Sequence, residues 1–317
     1  MFELCTEACN IKELREGDYS AYDATYLGDY SCPEYPNNFT SNIDQLEAGL
    51  ELVKSRGQKC YLRLYAIPSN HDLPWVEDLI DTALTMPFDA FEVHNLGLLR
   101  MLKKKGSTIP LHLGVFGNLY THETAKTLKD YGVTRVCPNP ELSLKEIAYI
   151  AENTPIDTLV PVHGKIPLVI SETCFIVEHS EECYSSPDEP RPDGPCNYQC
   201  AKEHWLKRGR NDGSRADWSL KDTGRMTLSG KDLCMLEHAS TLVDMGFNIF
   251  YVQSKGESKD YVGKIGKIYR DALQKAFSGE AAPDYAPLVA NLSALAREGL
   301  CNGYYFESAG QRYFGRS

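Results

Sequence analysis

The stretch AFEVHNLGLLRMLKKKGSTIPLHLGVFG (90–117) contains one complete unit of the fold that the sequence predicts. AFEVHNLG (90–97) is typical of a strand, LLRMLKKKG (98–106) of a helix that ends at glycine, and IPLHLGVFG (109–117) of the next strand. Two strands joined through a helix run parallel, because the helix returns the chain to the end of the sheet where the first strand began. The stretch therefore predicts a βαβ unit.

Similar units lie on both sides of this stretch. Further strands are predicted at 2–5, 21–28, 59–67, 133–138 and 157–164, with helices at 43–57, 75–84, 122–132 and 143–153. The last of these helices begins with Ser143 and Glu146, the spacing of a capping box. Six or seven such units predict an α/β protein with a (β/α) barrel-like parallel sheet. An open, doubly wound sheet remains the alternative, because periodicity does not reveal closure.

The alternation stops between residues 171 and 226. SEECYSSPDEPRPDGPCNYQC (180–200) is rich in proline and acidic residues and predicts an irregular segment. We expect barrel repeats over 1–170, an irregular Cys/Pro-rich insertion over 171–226 that binds a metal or cluster, and barrel completion with a C-terminal tail over 227–317. The three stretches are expected to form one domain. LSGKDLCMLEHASTLVDMG (228–246) is predicted to be a helix.

Composition narrows the class of protein. The chain has 317 residues, of which 33 are basic and 44 acidic, so its net charge is −11. That overall field argues against nucleic acid as a partner. No run approaches the roughly 18 apolar residues of a membrane span, and MFELCTEACNIKELREG (1–17) lacks the features of a secretory signal. We therefore expect a cytoplasmic protein with no membrane span.

The chain contains eleven cysteines, an odd number that cannot pair completely within one chain. Four of them fall close together at Cys174, Cys183, Cys196 and Cys200. A loop with Cys-x-x-x-Cys can wrap one face of a metal or cluster, because thiolates are soft anionic ligands. Spacing alone leaves three possibilities open, which are an iron–sulfur cluster, a structural zinc ion or neither.

Cys32 is a further candidate ligand from a distant part of the chain. It follows the strand that ends in YLG (26–28), and Cys174 follows the strand DTLVPVHG (157–164). Segments that follow parallel strands lie at the same face of a barrel, where active sites form. Cys32 is therefore expected to be able to meet the cysteines of 174–200. Cys60, Cys137 and Cys234 are expected to be packing residues.

Several segments together resemble the collagenase-like peptidase family U32 over about residues 1–275. They are FELCTEACN (2–10), AYDATYLGD (21–29), VHGKIPLVISETCF (162–175), CNYQC (196–200), LSGKDLCMLEHASTLVDMG (228–246) and KDYVGKIGKIYRDAL (259–273). The resemblance implies a barrel that carries a [4Fe-4S] cluster and takes part in oxygen-independent hydroxylation. It is greatest to members that act on ubiquinone precursors, and it thus implies a small aromatic or prenylated substrate. A second family protein as heterodimer partner and prephenate as oxygen donor are implied in the same way.

The same resemblance implies a ligand set. Cys32 in YLGDYSC, Cys174 in HGKIPLVISETCF, and Cys196 with Cys200 match the cluster cysteines of those members. Cys183 is an additional cysteine that could replace one of the four. The family's usual KIEGR segment reads YVQSK (251–255) here, which implies the decay of a site used by RNA-modifying members.

Four further residues are candidates for binding an acidic substrate near the barrel mouth. They are Arg63, His94, His112 and His163, which lie on predicted strands or at their ends. The sequence identifies no catalytic residue. A protease is disfavoured, because no nucleophile–base set and no HExxH motif are present. RNA-base hydroxylation and a non-catalytic partner role remain the alternatives.

Overall fold

A computed structural model describes residues 1–179, 200, 202–207, 218–281, 283–308 and 310–315. These residues form twelve strands. They are β1 (Glu3–Ala8), β2 (Ala24–Leu27), β3 (Lys59–Arg63), β4 (Ala90–Val93), β5 (Leu111–Leu113), β6 (Val133–Val136), β7 (Asp157–Ile170), β8 (His204–Lys207), β9 (Ser219–Asp222), β10 (Met226–Cys234), β11 (Ile249–Val252) and β12 (Leu300–Cys301).

The described residues also form ten α-helices. They are α1 (Ile11–Glu16), α2 (Ile43–Ser55), α3 (Leu73–Ala83), α4 (Leu96–Lys104), α5 (His122–Lys129), α6 (Leu144–Glu152), α7 (Phe175–His179), α8 (Ala239–Asp244), α9 (Lys259–Ser278) and α10 (Ala286–Leu295). None of them combines the length and the hydropathy needed to cross a membrane.

Eight parallel strands close into a barrel. Strands β1 to β7 pair in sequence order, and β11 pairs with both β1 and β7. Ile249 of β11 stands opposite Glu3 on one side and Leu159 on the other, both in parallel register. This closure confirms the predicted (β/α) barrel and excludes the open, doubly wound sheet.

The helices form where the sequence provides caps and an apolar face. The Asn95 side chain accepts a hydrogen bond from the Gly97 N–H at the start of α4, and Leu98, Leu99 and Leu102 of this helix are buried. The capping box predicted at α6 is present, because the Ser143 and Glu146 side chains each accept a hydrogen bond from the other residue's backbone N–H.

The helix predicted over 228–246 is wrong in its first half. Met226–Cys234 forms β10, which pairs antiparallel with β7 and β9, and α8 includes only Ala239–Asp244. Cys234 therefore ends a strand rather than lying within a helix. The local sequence pattern of this segment is compatible with either a helix or a strand. Hydrogen bonding to the long strand β7 makes it a strand.

A second correction concerns the segments around the insertion and the tail. Within 171–226 the described residues include α7, β8 and β9, so this stretch is not irregular throughout. The predicted polar tail carries α10 and β12.

The sheet extension formed by β7, β10, β9 and β8 covers the carboxyl end of the barrel. Met226 and Leu228 of β10 are buried in the same inner cluster as Tyr26 and Tyr251, whose strands form the barrel wall. The Tyr30 hydroxyl, in the loop after β2, donates to Met226 Sδ at 3.6 Å. Strand β10 thus covers the barrel interior at the carboxyl ends of the parallel strands.

We predict that Gly164→Ala weakens barrel closure. Gly164 has a φ of +101°, and a Cβ there would lie 2.3 Å from the carbonyl oxygen of Gln253, which follows β11. Both the left-handed backbone and the clash with a backbone atom oppose a side chain, so the free energy of unfolding should fall by about 2–4 kcal/mol. Urea unfolding followed by circular dichroism measures the change.

Gly246→Ala is the matched control for this prediction. Gly246 has a φ of +84°, but no atom lies within 4 Å of the position of its Cβ. It should lose only the cost of the left-handed backbone, about 1 kcal/mol. Equal losses in the two variants would contradict the proposed role of the β7–β11 contact.

Candidate functional site

Two of the predicted cluster cysteines meet at the tip of the hairpin between β9 and β10. A Cβ on Gly224 would lie 2.8 Å from Cys174 Sγ and 3.9 Å from Cys200 Cβ. The Phe175 N–H donates to the Gly224 carbonyl at 2.9 Å, which fixes the Cys174 segment against this turn. Cys174 and Cys200 therefore adjoin, although 25 residues separate them in the sequence.

Cys32 lies at the same end of the barrel, in the loop after β2. Its carbonyl accepts hydrogen bonds from Asn38 Nδ2 at 3.0 Å and from the Tyr35 N–H at 3.1 Å, so its backbone is held. Burial, followed by the Asp29 carboxylate, raises the pKa of the Cys32 thiol to about 12, whereas the nearby Arg225 cation acts to lower it. Arg225, whose cation interacts with Cys32, directly follows Gly224, which adjoins Cys174 and Cys200. Cys32 therefore lies near the same hairpin tip as the other two cysteines.

The structure describes three of the proposed cluster ligands, Cys32, Cys174 and Cys200. Cys183 and Cys196 lie outside the described residues, and no group of three His, Cys, Asp or Glu side chains within them is close enough to hold a metal ion. Two features nevertheless suit an anionic sulfur centre. Gly224 leaves room that Cys174 Sγ fills, and the buried Arg225 Nε has no hydrogen-bond partner there.

Below these cysteines, a buried arginine organises the polar part of the barrel mouth. Arg63 forms ion pairs with Glu7 from β1 and, through Nε at 2.8 Å, with Glu92 from β4. Its Nη2 donates to the Tyr251 hydroxyl of β11 at 3.0 Å. Two carboxylates and one cation are almost completely removed from solvent, so each group requires the others to stay charged.

His94 extends this network to the loop after β5. The Phe116 N–H donates to His94 Nδ1 at 3.1 Å, which indicates that Nδ1 carries no hydrogen. The hydrogen then lies on Nε2, 3.2 Å from Glu92 Oε1, and is donated to that carboxylate. The imidazole also stacks on Tyr30 with ring centroids 4.5 Å apart. Its tautomer and its orientation are therefore both fixed.

The segment YVQSK (251–255) also contributes to the mouth. Glu7 Oε1 accepts hydrogen bonds from the backbone N–H groups of Ser254 and Lys255. The buried Lys255 Nζ lies 2.8 Å from Asp29 Oδ2 and donates to Ser31 Oγ at 2.7 Å. The segment is thus tied to the residues that precede Cys32.

A cavity of about 50 Å³ lies beneath the sheet extension. Arg63, His94 and His163 are among its lining residues, together with Tyr251 and mostly apolar groups. The C-terminal tail closes one side through Gly303, Tyr304 and Tyr305. The Tyr305 hydroxyl donates to the Pro161 carbonyl at 2.7 Å, so the tail is anchored to β7.

The four predicted substrate-binding residues are therefore placed differently. Arg63 and His94 face each other across Glu92 beside the cavity. The His163 ring packs on Tyr269 of α9, and burial lowers the pKa of His163 to about 3. His112 is not among the lining residues, because its Nδ1 is 3.0 Å from the Tyr26 hydroxyl deeper in the barrel.

Sequence reasoning missed the acidic half of this site. Glu7 and Glu92 are the partners of Arg63, yet neither was a candidate. A signal existed, because each is a charged residue within a short apolar strand, ELCTEA (3–8) or AFEV (90–93). Charged residues are rarely buried unless they are paired, so such a position indicates a partner elsewhere in the chain.

We predict that Glu92→Gln produces a pH-dependent loss of stability. Although burial acts in the opposite direction, Arg63 and His94 hold the pKa of Glu92 at about 2, against its usual 4.5. A carboxyl whose pKa falls on folding stabilises the protein above its unfolded pKa, and this contribution disappears as the pH falls through the folded pKa. The variant should be about 3 kcal/mol less stable at pH 7.

The difference between wild type and variant should be constant above pH 4.5 and shrink between pH 4.5 and 2, the window of this pKa shift. Urea unfolding at a series of pH values measures it. Glu51→Gln, on the exposed face of α2, is the control and should leave stability unchanged. A difference that does not vary with pH in this window would contradict the assigned role of Glu92.

Comparison with known proteins places this geometry in a family. The sequence profile of Peptidase family U32 matches residues 10–314. An uncharacterized protease of Methanocaldococcus jannaschii is 27% identical over 321 residues, which cover 99% of this chain and 75% of that protein. The tRNA hydroxylation protein P of Haemophilus influenzae is 26% identical, with 95% of this chain and 73% of that protein covered. The protein of the same name from Escherichia coli is 25% identical, with 95% and 74% covered. Because the profile spans the barrel, the cysteine-bearing segment and the tail that closes the cavity, this chain belongs to Peptidase family U32.

Proposed function

We propose that this chain is the iron–sulfur component of an oxygen-independent hydroxylase. The observation that carries the proposal is the meeting of Cys174 and Cys200 at Gly224, at the end of the barrel where Cys32 also lies. Cys196 completes the proposed ligand set, and Cys183 is an alternate that could replace one of the four. The names of the relatives support hydroxylation as the type of reaction.

A cluster held by four thiolates supplies one-electron transfer when it is bound. The residues of the chain contribute the surroundings. Met226 and Leu228 are buried in the apolar cluster inside the barrel, while Arg63 and Glu92 hold His94 in one orientation. Since the cavity of about 50 Å³ is smaller than an aromatic ring, a ring-shaped substrate would have to displace lining side chains, and it would then meet an apolar wall and a fixed imidazole. This setting suits a reaction in which water must be kept from a reactive intermediate.

We infer that the substrate is an aromatic ring, with an RNA base as the first candidate. The relatives named for tRNA hydroxylation support this choice. A ubiquinone precursor is the second candidate, favoured by the net charge of −11 and by the mostly apolar walls of the cavity. A second family member as heterodimer partner and prephenate as oxygen donor remain part of the proposal.

We predict that the protein purified without oxygen is brown and carries about four irons and four sulfides per chain. Single changes of Cys32, Cys174, Cys196 or Cys200 to alanine should each remove most of the iron, because each deletes one of four thiolate ligands. Iron and sulfide analysis together with the visible absorption spectrum measures the loss.

Cys60→Ala and Cys234→Ala are the controls, since both thiols are buried in the packing core. They should retain the iron. Zinc in place of iron, or full iron content in Cys32→Ala with loss in a Cys183→Ala variant, would contradict the proposed centre or its ligand set respectively.

The two substrate candidates predict different cellular phenotypes. In the source organism grown without oxygen, deletion of the gene should abolish a hydroxylated nucleoside in tRNA or rRNA and leave the quinone pool unchanged. Mass spectrometry of digested RNA and of extracted quinones measures both. Loss of a hydroxylated quinone with intact nucleosides would instead support the ubiquinone precursor, and no change in either would contradict the proposed function.

A further inference from the structure

The hairpin tip, residues 223–226, lies beside two of the proposed cluster cysteines. Gly224 of this tip adjoins Cys174 and Cys200, and the residues that follow it contact Tyr30 and Tyr65 of the barrel mouth. Arg225 Nη1 donates to the Tyr65 hydroxyl at 2.6 Å, and Met226 Sδ accepts from Tyr30. The tip therefore contacts both the Cys174–Cys200 pair and residues of the barrel mouth.

The backbone of this tip is rigidly held. The Gly224 N–H donates to Asp222 Oδ1 at 2.8 Å, and the Thr223 N–H donates to the Met226 carbonyl at 2.9 Å. The Arg225 carbonyl accepts from the Ser171 N–H at 2.8 Å, which joins the tip to the end of β7. A turn fastened on both sides can hold a side chain at a fixed distance from a neighbouring centre.

Arg225 differs from Arg63 and Lys255, which are also cations of the mouth, in the group that contacts it. Arg63 is paired with two carboxylates, and Lys255 is paired with Asp29. The hydrogen-bond partner of the Arg225 side chain within the described residues is the neutral Tyr65 hydroxyl, and Arg225 Nε there is buried without one. This cation lies near the Cys32 thiol and near the Asp72 and Glu34 carboxylates, and among the described residues it forms no ion pair with either carboxylate.

We propose that the hairpin tip is the inner wall of the sulfur centre, in which Gly224 provides space for the Cys174 sulfur and Arg225 provides the facing positive charge. This inference rests on the cluster of the proposed function and assigns Arg225 as a positioning residue for it. A cation beside a sulfur-ligated cluster stabilises the reduced state, which carries one more negative charge, and so raises the reduction potential.

The test compares cluster-loaded protein purified without oxygen. Arg225→Gln should retain iron but be harder to reduce, so that the ratio of reduced to oxidised cluster at a fixed potential falls about tenfold, or ~59 mV for one electron. Arg225→Lys keeps the charge and should recover most of the shift. Arg56→Gln removes a cation at the opposite end of the barrel and should leave the potential unchanged. A redox titration followed by electron paramagnetic resonance measures all four proteins.

Gly224→Ala tests the steric half of the proposal. Its Cβ would stand 2.8 Å from Cys174 Sγ, whereas a Cβ on Gly256, which has a φ of +73°, has its nearest contact at 3.7 Å from the flexible Lys221 Nζ. Gly224→Ala should therefore lose iron, and Gly256→Ala should keep it.

The outcomes separate this inference from the proposed function. If wild type carries the cluster and Arg225→Gln has the same reduction potential as wild type, the assignment of Arg225 is overturned and the proposed cluster is not. Equal iron in Gly224→Ala and wild type overturns the role of Gly224. Loss of iron in Arg225→Gln would contradict its expected retention of the cluster and overturn the assignment of Arg225, whereas wild type without iron would overturn both the cluster and the wall.

Discussion

Closure of the parallel sheet by β11 is the constraint on which the rest of the molecule depends. Because β11 pairs with β1 and with β7, the carboxyl ends of eight strands form a ring rather than an edge. The loops that follow β2 and β7 then rise from the same ring, and Cys32 and Cys174 share one end of the barrel. In an open sheet the two loops would be several strands apart.

Charge pairing inside this ring gives the mouth its rigidity. Arg63 holds Glu7 and Glu92 together from three different strands, and Glu92 in turn orients His94. A buried triad of this kind adds little net stability, because desolvation offsets most of the attraction. The triad instead favours one register of the strands, since any shift of one strand would leave a buried charge without a partner.

The sheet extension determines what reaches the barrel interior. Strand β10 covers the mouth with Met226 and Leu228 and presents the hairpin tip to the cysteines. The C-terminal tail closes the remaining side through Tyr304 and Tyr305. The cavity, the cysteines and the tail thus lie at the same end of the barrel, even though they come from three distant stretches of the chain.

The sequence by itself determined the alternation of strands and helices, the caps of its helices and the candidate cysteines, because these follow from local periodicity and from residue chemistry. It also identified Arg63 and His94 as candidate residues of the barrel mouth, because the periodic pattern places both at the ends of strands. Only the tertiary structure decided that the sheet closes, that 226–234 is a strand, and which charges meet. Those outcomes depend on pairing between residues far apart in the chain: β10 is a strand because β7 offers it hydrogen bonds, and Glu7 tolerates burial because Arg63 reaches it from β3.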